Sequence, residues 1–253
     1  MSVWQFVKGG VRSTLFFGLF VVGTVGFGLG ISVLWPVVSL QQRRNWARNW
    51  SRSIRWVLGW SCQLHEQVEG WENLPAPPYV ILSKHQSAWE TVAFVSLFYP
   101  CVQVLKQSLT HIPVFGWALR ATDQIAIDRS KGVAALHRLH EHGTRQLQEG
   151  VAVLIFPEGT RSAPGVTGKY HPGGVSLALA AGVPIVPVAH NAGSFWPRRS
   201  FLKKPGVIRV RIGTPLPTAG LSRADRKALM AQLEERIETM TRDLEQSQTA
   251  SGG

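Results

Sequence analysis

The chain has 253 residues and a mass of 27.9 kDa, room for one domain of ordinary size and an appendage. With 45% hydrophobic and 17% charged residues and a mean hydropathy of +0.03, it is not disordered, collagen-like or a coiled coil. Its 27 Lys and Arg against 15 Asp and Glu leave +12, which points to polyanionic partners. The two cysteines, Cys62 and Cys101, exclude a disulfide scaffold and favour a reducing compartment.

The charge is concentrated at the start of the chain. Lys8, Arg12, Arg43, Arg44, Arg48, Arg52 and Arg55 precede the first acidic residue, Glu66, and seven of the ten tryptophans lie in the first 71 residues. Basic residues mixed with Trp suit the headgroup layer of an anionic membrane better than a nucleic-acid groove, and no nucleic-acid-binding signature accompanies them. Residues 13–42 carry no charge, and Leu15–Leu34 is apolar or Gly, Ser and Thr throughout. Twenty helical residues span about 30 Å, the thickness of a bilayer core. The run is too long for a signal peptide and lacks a cleavage site. Gly18, Gly23, Gly26, Gly28 and Gly30 offer a close helix–helix seam, or simply a poorly specified apolar helix.

Pro36 breaks the pattern, and Gln41–Trp60 reads as an amphipathic helix with Trp46, Trp50, Val57 and Leu58 opposite Arg44, Arg48, Arg52 and Arg55. Residues 1–62 are therefore expected to form a membrane helix followed by an interfacial one; a hairpin dipping into one leaflet is the alternative. The five arginines after the apolar run place the remainder on the cytoplasmic side of a cell inner membrane or another cytoplasm-facing membrane.

Residues 63–245 alternate short β-branched runs with helical patterns. Strands are expected at Tyr79–Leu82, Val102–Leu105, Gln124–Asp128, Val151–Phe156, Pro184–Ala189 and Val207–Ile212. Helices are expected near 88–98, 131–149 and 173–182, and a last one follows the Ser222/Asp225 capping box with Leu229, Leu233, Ile237 and Met240 on one face. Residues 246–253 read as a flexible tail. This alternation predicts an α/β fold: a mixed, mostly parallel sheet covered by helices.

On such a frame His85, Lys106, Arg129 and the run Glu158-Gly159-Thr160-Arg161 each follow a strand. Open α/β sheets bind ligands beyond the carboxyl ends of their strands, so four segments bring a histidine, a carboxylate and three cations to one rim. On a continuous helix His85 and Glu90, five apart, would point about 140° away from each other. They meet only if His85 lies on the strand–helix turn and Glu90 in the first helical turn. Glu90 would then hold the Nδ1 proton and leave Nε2 as a base. In Phe156-Pro157-Glu158-Gly159-Thr160-Arg161-Ser162, a glycine turn exposes backbone N–H groups and Arg161 supplies a planar fork for phosphate.

Two other chemistries are weaker. Gly174-Val175-Ser176-Leu177-Ala178 approximates a hydrolase nucleophile elbow but follows His171-Pro172-Gly173 instead of a buried strand. His137, His140, Glu141 and His142 sit among Arg138 and Arg145 on a helical pattern, a solvated face and not a metal site. No metal ligands are expected.

His85-x4-Glu90, the block from Lys106 through Ile112-Pro113 and Gly116-Trp117, Ile127-Asp128-Arg129, Phe156–Ser162 and Val183-Pro184-Ile185-Val186-Pro187 occur in this order. Together they resemble the glycerolipid acyltransferases over residues 80–190. The usual motif of that family is His-x4-Asp, and Glu90 is one methylene longer. The resemblance implies a glycerol-3-phosphate acyltransferase-like fold, an N-terminal membrane-embedded helical motif, and acyl transfer from acyl-CoA or acyl-carrier protein to the free hydroxyl of a lysophospholipid acceptor, 1-acylglycerol-3-phosphate. It further implies that His85 and Glu90 are catalytic, that Lys106, Arg129, Glu158, Gly159, Thr160, Arg161 and Ser162 bind substrate, and that no cofactor is needed beyond the donor.

Overall fold

The computed structural model describes residues 3–251. Seven strands form one sheet in the order β1-β7-β6-β2-β5-β3-β4, parallel except where β6 meets β7. The strands are β1 (Leu64–Glu69), β2 (Val80–Ser83), β3 (Cys101–Lys106), β4 (Ile125–Ile127), β5 (Ala152–Ile155), β6 (Ile185–His190) and β7 (Gly206–Ile212). The central strands have no polar alternation because both faces are covered. Tyr79 and Ile81 join one core cluster with Leu154 and Val188, while Val80 and Leu82 join the other with Val153 and Ile155. Helices α2 (Leu40–Cys62) and α3 (Trp89–Leu97) lie over the first face. Helices α5 (Val133–Gln148), α6 (Gly173–Ala181) and α8 (Arg226–Ser251) lie over the second.

The expected helices and strands are present, and three additions complete them. Strand β1 (LHEQVE) is an edge strand whose side chains are mostly polar, so it carries almost no β signature; its register is set by β7, from Leu64 opposite Gly206 to Glu69 opposite Arg211. Helices α4 (Phe115–Ala121) and α7 (Ala192–Phe195) are too short to show a period. At the other end, α8 continues through Ser251 instead of giving way to a tail at residue 246, because no Gly or Pro interrupts it before Gly252.

Helix α1 (Val3–Leu34) is long and apolar enough, by length and composition, to cross a membrane. It runs antiparallel to α2: Gly23 abuts Ile54, Gly30 abuts Trp46, and the Arg12 carbonyl lies beside Cys62. The turn between them ends in a capping box, with Gln42 N donating to Ser39 Oγ and Ser39 N to Gln42 Oε1. Gly28 has a different use. A Cβ there would lie 2.5 Å from Val114 of the loop before α4, while Gly18 and Gly26 meet nothing within 4 Å. The five glycines are thus not one seam.

Both halves of α1 touch the globular domain. Ser13 Oγ accepts from Lys203 N at 3.0 Å, and Ile31 packs with Ala118 and Ala121 of α4, about 27 Å further along the helix. The arginines of α2 also divide. Arg44 is buried and donates to Gln146 at 2.7 Å, and Arg55 binds Glu66 and Ser96, so these two brace the domain and are not surface charges. Arg43 and Arg48 cover Trp35 and Tyr99 as cation–π pairs.

Candidate active site

The chain leaves β2 at Ser83 and reaches α3 six residues later, so His85 occupies the connecting turn and Glu90 the first helical turn. His85 Nδ1 and Glu90 Oε1 are 2.8 Å apart. The same oxygen accepts Gln86 N at 2.8 Å and Ser87 N at 2.7 Å. A carboxylate can only accept, so Nδ1 is the donor and Nε2 carries the free lone pair. Burial opposes ionisation of Glu90, yet His190 beside it and the donors from His85 and Ser87 outweigh that and hold its pKa below the ordinary carboxylate value. The imidazole ring stacks on Phe156 at 4.1 Å.

His190 closes β6 and is wholly buried 3.9 Å from Glu90. Ala192 N donates to its Nδ1, so Nε2 bears the proton and donates to Lys84 O at 2.9 Å. Burial lowers its pKa below 6.5, against the pull of Glu90. The folded protein therefore protonates His190 less readily than the unfolded chain does, and stability falls as pH drops below about 6.5. His190→Gln, which retains a donor toward Lys84 O, should flatten this part of the loss. Thermal midpoints of both proteins at pH 7.5 and 5.5 measure it; an unchanged difference would show that His190 does not titrate on unfolding.

Beneath the turn lies an ionic cluster that nothing in the local sequence announces. Lys84 is 1% exposed and its Nζ donates to Glu158 at 3.3 Å, to Glu238 of α8 at 2.8 Å and to Val166 O at 2.9 Å. Tyr170 and Thr167 donate to Glu238, and Glu158 Oε1 accepts His85 N at 3.1 Å. A chain of ionic hydrogen bonds thus runs from α8 to the backbone of His85.

This changes the roles within the turn after β5. Glu158 faces inward, accepting from Lys84, His85 N and Gly168 N, and is not among the residues lining the cavity. Ser162 donates through both N and Oγ to His85 O, at 2.8 and 3.3 Å, and also positions the histidine. Thr160 is exposed and outside the cavity walls. Gly159 adopts φ +69°, and a Cβ there would lie 2.9 Å from the Arg129 guanidinium, which donates to the Gly159 carbonyl.

The remaining five predicted residues, His85, Lys106, Arg129, Gly159 and Arg161, line a single cavity of about 520 Å³. Its other wall is apolar and comes from the N-terminal hairpin: Phe16, Phe20 and Phe27 of α1 with Trp50 of α2. In the sequence alone these two helices read only as an anchor. Phe16, Phe20 and Phe27 nonetheless share one helix face, which is the signal that they line something. Ser176, the rival nucleophile, sits inside α6, its N bonded to Pro172 O, on no strand–helix elbow.

A model of the family described as Acyltransferase matches residues 65–191, just over half of the chain and the part that carries His85, Glu90, Lys106, Arg129, Glu158, Arg161 and His190. The chain belongs to the acyltransferase family and is an O-acyltransferase. It is 41% identical to the 1-acyl-sn-glycerol-3-phosphate acyltransferase of Pseudomonas aeruginosa over 90% of this chain and 88% of that one. It is 30% identical to the human 1-acyl-sn-glycerol-3-phosphate acyltransferase alpha over 76% of this chain and 67% of the relative. The crystal structure of the 1-acyl-sn-glycerophosphate (LPA) acyltransferase PlsC from Thermotoga maritima has the same fold, with a TM-score of 0.78 at 21% identity, covering 95% of this chain and 98% of that one.

Proposed function

We propose that the enzyme transfers a fatty acyl group from acyl-CoA or acyl-carrier protein to the free hydroxyl of 1-acylglycerol-3-phosphate, giving phosphatidic acid at an anionic, cytoplasm-facing membrane. The observation that carries this reading is the single cavity that combines a Glu90-oriented imidazole, a cationic wall and an apolar wall. A lysophosphatidate offers the matching hydroxyl, phosphate and acyl tail. The names of the relatives support the acceptor.

His85 Nε2 takes the hydroxyl proton as the oxygen attacks the thioester carbonyl. The C–O bond forms, the C–S bond breaks, and the proton passes from Nε2 to the departing sulfur. Glu90 stabilises the imidazolium between the two steps. A thiolate leaves readily, so no covalent enzyme intermediate is required. The hairpin α1–α2 lies in the cytoplasmic leaflet and not across the bilayer. Contacts at Ser13 and at Ile31 keep α1 alongside the domain over most of its length, and Val22 and Val33 remain exposed on its outer side.

Purified protein in vesicles, supplied with labelled acyl-CoA or acyl-carrier protein and lysophosphatidate, should form labelled phosphatidic acid; no transfer from either donor would refute the assignment. Arg161→Ala should lower kcat/KM for lysophosphatidate by roughly 10–150-fold, the loss of one charge-assisted hydrogen bond. Monoacylglycerol, which lacks the phosphate, should be a poor acceptor for both proteins and barely change. Equal losses for the two acceptors would place Arg161 on the donor or in the scaffold.

A further inference from the structure

Between Glu158 and Asp225 the chain contains no acidic residue. In the middle of that span, the loop 196–205 (WPRRSFLKKP) joins α7 to β7 and packs against the N-terminal half of α1. Trp196 meets Phe16 edge-on at 5.4 Å, and Phe201 meets Phe17 at 5.9 Å. Lys203 is buried at the centre of this junction, its Nζ 4.7 Å from the Trp196 ring, 5.2 Å from Phe16 and 5.0 Å from Phe201, donating to Phe201 O at 2.7 Å. The loop is tied by its own hydrogen bonds, Ser200 N to Pro197 O and Lys204 N to Phe195 O, with Arg199 held at φ +61° between them. Its shape is preformed.

What this shape presents outward is specific. Phe201 is 48% exposed beside Phe17 at 50%, so the apolar outer side of α1 continues onto the loop. Arg198, Arg199 and Lys204 flank it, all exposed. Arg198 Nη1 also donates to Arg161 O at 3.1 Å, and Trp196, Ser200, Phe201 and Lys203 line the cavity. One loop therefore joins the outer apolar face, a basic fringe and the cavity wall. An exposed aromatic ringed by cations is the pattern that seats at a bilayer interface, with the ring among the acyl chains and the cations at phosphate level.

We propose that loop 196–205 is a second membrane-contact element: Phe201 inserts beside Phe17, and Arg198, Arg199 and Lys204 bind anionic headgroups at the lip of the cavity. The inference rests on the membrane reading of α1. It gives the acceptor a lateral way in, since a lipid beside Phe201 already touches the cavity wall. An acidic carrier protein is the competing occupant of the same basic fringe. The continuity of the apolar face with α1 favours the membrane, because a carrier would have no use for an exposed Phe in line with Phe17.

Nitroxide labels on single introduced cysteines test this in the full-length protein. Cys62 and Cys101 are buried, and burial raises the Cys101 thiol to about 12, so the introduced residue reacts selectively. The labels are placed at Phe201→Cys, at Val22→Cys on the outer side of α1, and at Arg138→Cys on α5 over the opposite face of the sheet. In vesicles of phosphatidylglycerol and phosphatidylcholine, labels at 201 and 22 should collide with oxygen and be shielded from a water-soluble nickel complex. The label at 138 should show the reverse. Adding Arg198→Glu, Arg199→Glu and Lys204→Glu together should return the 201 label to water and leave the 22 label in lipid. A 201 label in water while 22 stays in lipid would overturn the proposal and leave the membrane reading of α1 standing; both in water would overturn both. A 201 label immobilised only when acyl-carrier protein is added would assign the loop to the carrier, and so also overturn it.

Discussion

His85→Ala is expected to lose turnover by about 10²–10⁴-fold or more while the protein stays folded. The fold should survive because the imidazole is not holding Glu90 in place alone. Oε1 keeps its bonds from Gln86 N and Ser87 N when the ring is gone, so the buried carboxylate is not left without donors. On the proposed mechanism the missing quantity is the base itself, and kcat should fall far more than KM changes. Glu90 separates orientation from proton transfer. Glu90→Gln keeps the shape but removes the charge that stabilises the imidazolium, and should lower kcat with a smaller effect on KM. Glu90→Asp withdraws the carboxylate by about one bond length from a contact that is 2.8 Å in the native protein, and should keep partial activity. Steady-state kinetics with matched thermal midpoints distinguish these outcomes from misfolding. Near-native turnover in His85→Ala would end the mechanism.

The parts of this site that could be read in the sequence are those set by local rules. A buried strand followed by a turn and a helix fixes where His85 and Glu90 go, and the five-residue spacing is informative because it fails on a continuous helix. The cationic residues were legible for the same reason, each standing just after a β-branched run. The inward orientation of Glu158 is not legible because its sequence neighbours Gly159 and Arg161 line the cavity while its own partner is Lys84, which in turn binds Glu238, 154 positions away. Arg44 and Arg55 are illegible likewise: on the helix they look like a surface row, and only the third dimension supplies Gln146 and Glu66. The apolar wall was overlooked for a different reason. A hydrophobic helix satisfies a membrane and a substrate cavity with the same residues, and composition cannot divide Phe16 and Phe20, which line the cavity, from Val22, which does not. Strand β1 shows the limit of propensity, since pairing with β7 makes a strand of LHEQVE.

Lys84→Met should destabilise the protein by about 3–5 kcal/mol, the range for removing one partner from a buried ionic cluster. For a chain of this size that lowers the thermal midpoint by roughly 6–20 °C. The methionine fills most of the space, so the loss is electrostatic and not a cavity effect. Glu158 and Glu238 both lie within 3.3 Å of the lysine nitrogen, and without it two buried carboxylates face each other. Each keeps other donors, Gly168 N and His85 N for Glu158 and Tyr170 and Thr167 for Glu238, which is why the fold should persist at reduced temperature. The double variant Lys84→Met/Glu238→Gln removes the repulsion and should recover part of the midpoint. Its activity reports on position: if Glu158 still holds His85 N, kcat recovers with stability. If kcat stays low while the midpoint recovers, the lysine itself holds the turn in register for His85. A native midpoint in Lys84→Met would show that the cluster contributes neither stability nor placement.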